Sequence, residues 1–180
     1  LQGYNITLSP FINLSTWRII YTKGNNFKKV IALFKGYLIR FAFLFTLRKY
    51  EIVYIFMWVV PYTSNYMEYL YRKFSKKIIY DMEDNILIIS NNEINPVTSS
   101  FKSTFKYKYL INHSDRVIVS SKYLENYCNQ YTGKNNAKYI CASINTDRYI
   151  LKKHYSKKTI KKGWTGTFST KKYLSIIEPI

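Results

Sequence analysis

Ile52-Val53-Tyr54-Ile55-Phe56-Met57-Trp58-Val59-Val60 is an unbroken apolar run, rich in β-branched and aromatic residues and closed by Pro61. A run of that kind fits a strand buried on both faces, and such strands belong to parallel sheets. Downstream, residues 66–74 have helical character, residues 77–80 read as a short strand running into Asp81, and residues 86–89 form a further short apolar run. Residues 91–100 are polar, with Pro96 among them, and predict a loop leading to a helix that ends near His113. Residues 116–120 are again β-branched. Ser121 is placed to cap a helix over 123–131 that stops before Gly133, and residues 137–141 repeat the strand pattern. Strands alternating with helices at spacings of roughly 25 to 35 residues imply right-handed βαβ units. The expected fold class is α/β, a Rossmann-like parallel sheet with helices on both faces.

The chain has 180 residues, nearly half of them apolar, enough for one substantial core and too apolar for disorder. Residues 1–150 are expected to form the Rossmann-like domain. From 151 to 158 the chain turns basic and loses its hydrophobic rhythm, as a linker does, and 159–180 begin a second domain with a strand up to Trp164 and a helix from Ser169. Cys128 and Cys141 are the only cysteines, too few for a disulfide framework, and they read as reduced intracellular thiols.

Charge is the strongest compositional signal. Lys and Arg number 28 against 10 Asp and Glu, a net +18, and the first fifty residues contain no acid. A field of that size attracts anions: nucleic acid, anionic lipid or phosphorylated small molecules. Biased codon usage is the competing explanation for a lysine-, tyrosine- and asparagine-rich chain.

The segment 27–48 is apolar and helical in character, yet its longest uncharged run, 41–47, falls far short of the roughly 20 residues that a spanning helix needs. On a helical wheel Lys28, Lys29, Lys35 and Arg40 fall within about 140° of one another, with Phe34, Leu38 and Phe41 largely elsewhere. Two readings stand: an ordinary helix packed on a sheet with solvated lysines, and a basic amphipathic helix touching an anionic membrane surface.

In an open α/β sheet ligands bind beyond the carboxyl ends of the strands. Asp81, Glu83 and Asp84 crowd three carboxylates into four residues directly after an expected strand. A divalent metal site, a carboxylate serving an acceptor hydroxyl, and a solvated helix N-terminus all fit those residues. Gly163-Trp164-Thr165-Gly166-Thr167 forms a glycine- and hydroxyl-rich turn opening a helix, which suits a phosphate or a plain structural turn. It has neither the Walker ending nor the G-x-G-x-x-G spacing. Ser120 and Ser121 are assigned to capping, and His113 and His154 stand alone.

Taken in order, Tyr80-Asp81-Met82-Glu83-Asp84, Ser114-Asp115-Arg116-Val117-Ile118-Val119-Ser120-Ser121, Ile144-Asn145-Thr146-Asp147-Arg148-Tyr149 and Gly163-Trp164-Thr165-Gly166 with Ser169-Thr170 resemble the bacterial retaining glycosyltransferases of family 4, which have the GT-B fold. Gly3 to Phe11 is similar to that family's second N-terminal strand, and Tyr50 to Ile55 to its following buried strand.

The resemblance implies an acceptor-side domain followed by the first residues of a donor-side domain, with the first strand and most of the donor domain outside this chain. It implies a nucleotide-sugar donor, a glycan or lipid-linked acceptor, no bound metal or other cofactor, and a cytoplasmic location, to which the basic amphipathic helix with Lys28, Lys29, Lys35 and Arg40 adds a peripheral place on the inner face of the membrane. Asp81 becomes the catalytic candidate, Glu83 and Asp84 acceptor-side residues, and Gly163, Thr165, Gly166 and Thr167 neighbours of the donor diphosphate. Glu83 stands where similar members tend to carry Asp. Surface polysaccharide or glycolipid assembly is the process implied, and the fragment alone is expected to be inactive. No nucleic-acid partner is expected, although +18 and 19 tyrosines keep a basic nucleic-acid-binding module as the rival. A non-catalytic remnant of a truncated gene is a third reading.

Overall fold

The computed structural model describes residues 3–20, 24–61, 63–83, 104–143 and 145–148. The elements are α1 (Leu14–Ile20), α2 (Asn26–Leu44), β1 (Val53–Phe56), α3 (Tyr66–Phe74), β2 (Ile78–Met82), α4 (Thr104–His113), β3 (Arg116–Val119), α5 (Lys122–Thr132) and β4 (Ala137–Tyr139). The four strands make one parallel sheet in the order β1-β2-β3-β4. The α/β class read from the sequence is therefore present.

The nine-residue apolar run does not make one strand. Only its first half pairs: Val53 lies opposite Ile78 and Phe56 opposite Asp81. Met57 then adopts a left-handed backbone, φ 61°, and the Trp58 amide bonds back to the Phe56 carbonyl at 2.8 Å. A non-glycine residue there is uncommon and ends the extended conformation. Val59 and Val60 turn into the core instead of continuing the sheet, and both are buried.

The sheet is also covered differently from expectation. Ile55, Ile78, Tyr80, Met82, Val117 and Val119 are buried on one face, whereas Tyr54 and Phe56 on the other are half exposed. Strand order explains this. In a sheet that advances one neighbour at a time in one direction, right-handed crossovers place every connecting helix on the same side. Among the described residues the helices thus form a single layer, with α3 packed against α2 and α4, and α5 against α4, β3 and β4. Helices on both faces are not found there.

Local signals account for several boundaries. Ser121 caps α5, its hydroxyl accepting from the Leu124 amide at 3.3 Å, and Gly133 closes the helix at φ 63°. Gly36 lets α2 approach Phe11 closely, since a Cβ there would sit 2.7 Å from the Phe11 ring and 2.8 Å from its carbonyl oxygen. Phe11 and Tyr37 then meet edge to face at 5.3 Å. The expected strand near the N-terminus is not formed, for residues 4–10 pair with no strand of the sheet and Tyr4, Ile6 and Leu8 are exposed.

The chain divides into two compact units, Leu1–Ala142 and Ser143–Ile180. In the second, the described residues include the short turn Thr146–Arg148. The linker expected over 151–158 and the strand and helix expected over 159–180 lie outside the described residues, as do the apolar run 86–89 and the loop 91–100. Both cysteines are free, Cys128 buried and Cys141 exposed. Burial raises the Cys128 thiol pKa to about 11, which keeps it protonated and unreactive.

Candidate functional site at the carboxyl ends of the strands

Asp81 belongs to β2 rather than following it, one residue short of the strand's end. Strand alternation separates the acidic cluster. Met82 turns into the core and is buried, whereas Asp81 takes the opposite parity, toward the face that the described helices leave open. Glu83, next after the strand, is exposed, and Asp84 lies outside the described residues.

Two hydrogen bonds build the site around Asp81. The Tyr54 hydroxyl, on the neighbouring strand, donates to Asp81 Oδ2. The Ser120 hydroxyl, just past β3, donates to the backbone carbonyl of Glu83 and ties the ends of β2 and β3 together. Partial burial, the bond to Asp81 and the charge of Asp81 all push the Tyr54 pKa well up, so its phenol stays protonated. Asp81 therefore faces a neutral donor. It is a half-buried side chain whose carboxyl oxygens can accept a further hydrogen bond.

The loop beside this site is held by a buried ion pair that sequence reading did not reveal. Glu68 on α3 and Lys106 on α4 are both buried, with Nζ and Oε1 3.7 Å apart. Lys106 Nζ donates to the Val60 carbonyl and, at 3.2 Å, to the Thr63 hydroxyl. Glu68 Oε1 accepts from the Val59 amide at 3.2 Å. The pair thus anchors the segment after β1. Burial raises the Glu68 pKa and lowers that of Lys106, and each charge opposes the shift of the other.

Tyr80, adjacent to Asp81, points the other way and is completely buried, its hydroxyl without a hydrogen-bond partner. Burial drives its pKa well above the ordinary tyrosine value. An unpaired buried hydroxyl is unfavourable by about 1–3 kcal/mol. Tyr80→Phe is therefore expected to raise stability by about 1 kcal/mol in urea denaturation; a loss of that size would mean the hydroxyl has a partner in solution.

The four basic residues expected on one exposed face are divided. Lys28 and Lys35 are exposed, whereas Lys29 and Arg40 lie on the half-buried side of α2, with Arg40 donating to the Ser9 hydroxyl at 3.0 Å. Gly163, Thr165, Gly166 and Thr167 lie outside the described residues, as does His154. His113 ends α4, its Nδ1 2.8 Å from the Tyr109 carbonyl and its ring stacked on Tyr109, a local role apart from Asp81. Among the described residues no group of three or more His, Cys, Asp or Glu side chains is arranged to hold a metal, and no helix is long and apolar enough to cross a membrane.

A concavity of about 470 Å³ is lined by Ile52, Lys77, Ile79, Asp115 and Arg116. These residues sit at the amino ends of the strands, opposite to Asp81. Asp115 there is engaged by the Ile78 amide at 2.7 Å and by Arg72 at 3.2 Å, as a structural group would be. Ligands of open parallel sheets bind at the other end, where Asp81, Tyr54 and Ser120 are the candidate group.

Fold and site together define a parallel α/β protein with a polar group at the carboxyl ends of its strands. No protein-family model, no curated protein and no solved structure matches this chain.

Proposed function

We propose that this chain is the acceptor side of a retaining glycosyltransferase similar to family 4, of GT-B type, working in surface polysaccharide or glycolipid assembly. The observation that carries the reading is Asp81: a carboxylate near the carboxyl end of a parallel strand, on the open face, bonded to a tyrosine held neutral. In that role Asp81 accepts a hydrogen bond from the acceptor hydroxyl and orients its oxygen toward the sugar donor. Glu83 and Asp84 bind other hydroxyls of a glycan or lipid-linked acceptor. Gly163, Thr165, Gly166 and Thr167 sit beside the diphosphate of the nucleotide-sugar. The enzyme works in the cytoplasm, peripheral on the inner face of the membrane, and uses no resident metal.

The test is sugar transfer from nucleotide-sugars by the enzyme that carries these residues together with a donor side. Asp81→Asn is expected to cut turnover at least about tenfold, a loss of about 1.4 kcal/mol in transition-state stabilisation. Unchanged turnover removes Asp81 from the site. The net charge of +18 favours one other reading, a nucleic-acid-binding module. Steeply salt-dependent binding of single-stranded DNA, without binding of any nucleotide-sugar, would establish that reading instead.

A further inference from the structure

α2 packs with one side and leaves the other to solvent. Leu44 and Gly36 are buried on the packed side, where Tyr71 of α3 donates to the Arg40 carbonyl at 3.1 Å. The outward side carries Phe27, Val30, Phe34, Leu38 and Phe41, continued by Phe45 just past the helix, each 52% to 78% exposed. Their spacings of three and four residues place them on one stripe, about 20 Å long from Phe27 to Phe41. An apolar stripe of that length on a helix normally faces a core. Here it faces outward.

We infer that this stripe is a membrane-seating surface, which lies in the plane of an anionic bilayer and inserts its aromatic side chains at the headgroup–acyl boundary. Charge selects the occupant. Lys28 and Lys35 are exposed on the same helix, the first fifty residues hold no acid, and the chain carries +18. A second copy seated on the stripe would bring two such acid-free surfaces together, like charge against like. Anionic lipid accepts both the apolar side chains and the lysines. The mode differs from contact through a basic face alone. Apolar insertion contributes a part of the binding that salt does not screen, and the lysines contribute the part that it does.

The inference rests on the peripheral membrane place proposed above and gives it a surface; Asp81 and Tyr54 take no part, so vesicle binding and sugar transfer can fail separately. Its test is flotation of the purified chain with phosphatidylcholine vesicles, with and without phosphatidylglycerol, at low and high salt. Strong binding to the anionic vesicles is expected, and Phe34→Glu/Phe41→Glu should weaken it at least about tenfold at either salt. Lys28→Gln/Lys35→Gln should remove the salt-sensitive part only. Phe34→Ser/Phe41→Ser, which adds no charge, should also weaken binding and keeps the test valid should the glutamates disturb the fold. Equal vesicle binding by wild type and both phenylalanine variants overturns the inference, as does a wild-type chain that ignores anionic vesicles. A dimer in size-exclusion chromatography that these substitutions turn into a monomer would assign the stripe to a second copy and overturn it as well.

Discussion

Glu68→Ala is expected to destabilise the protein by about 3–5 kcal/mol in chemical denaturation, a large part of a small domain's stability. Glu68 and Lys106 are both buried, and Lys106 holds the Val60 carbonyl and the Thr63 hydroxyl as well as its partner. Removing the carboxylate leaves a buried ammonium without a counter-charge and frees the Val59 amide. The double variant Glu68→Leu/Lys106→Leu should recover most of the loss, because replacing both charges removes the desolvation term with the attraction. The pH dependence has a defined sign. Burial lowers the Lys106 pKa below its unfolded value, so between the two values the unfolded chain binds more protons and stability rises with pH. In Glu68→Ala the opposing charge is gone, the folded value drops further, and this rise should begin at lower pH than in wild type. Glu68 acts in the reverse sense. Its folded pKa is raised, so in wild type its share of stability is present below the unfolded value and is lost as pH climbs through the folded one. A Glu68→Ala variant as stable as wild type would place the pair in water.

Ile78→Ala and Ile79→Ala should differ sharply although the residues are neighbours in β2. Ile78 is buried on the helix-covered face, and its truncation is expected to cost about 2–5 kcal/mol. Ile79 lies on the open face, only partly buried, and the same truncation should cost under about 1.5 kcal/mol. Thermal or urea unfolding of the pair reads out which face of the sheet carries the core. Equal losses would mean that both faces are covered in solution.

Much of this arrangement was legible in the residues, and the exceptions have physical causes. Ser121 and Gly133 fix the ends of α5 because capping and left-handed turns are local chemistry. Parallel strands followed from short β-branched runs alternating with helices. The break after Phe56 was not legible, since Met57 carries no turn signature and its positive φ is set by the surroundings of Val59 and Val60. Nor was the orientation of α2. A helical wheel assigns lysine and arginine to water, whereas here Gly36 admits Phe11, Arg40 reaches Ser9, and the apolar stripe is left outside. At the candidate site, Asp81 was singled out from its place near a strand end. Its partner Tyr54 was hidden, because the register that brings the two together is tertiary. The same holds for Glu68 and Lys106, separated by a long stretch of chain, with nothing in the sequence to mark one lysine among so many.

The acceptor-side reading is tested most directly by titrating the isotope-labelled chain with a glycan or lipid-linked sugar acceptor and following amide shifts by NMR. The account predicts perturbations clustered at Tyr54, Asp81, Glu83 and Ser120, with affinity at least about tenfold weaker in Asp81→Asn, a difference of about 1.4 kcal/mol. Shifts confined to the amino-end concavity at Lys77 and Arg116, or an Asp81→Asn chain that binds as wild type does, would contradict it.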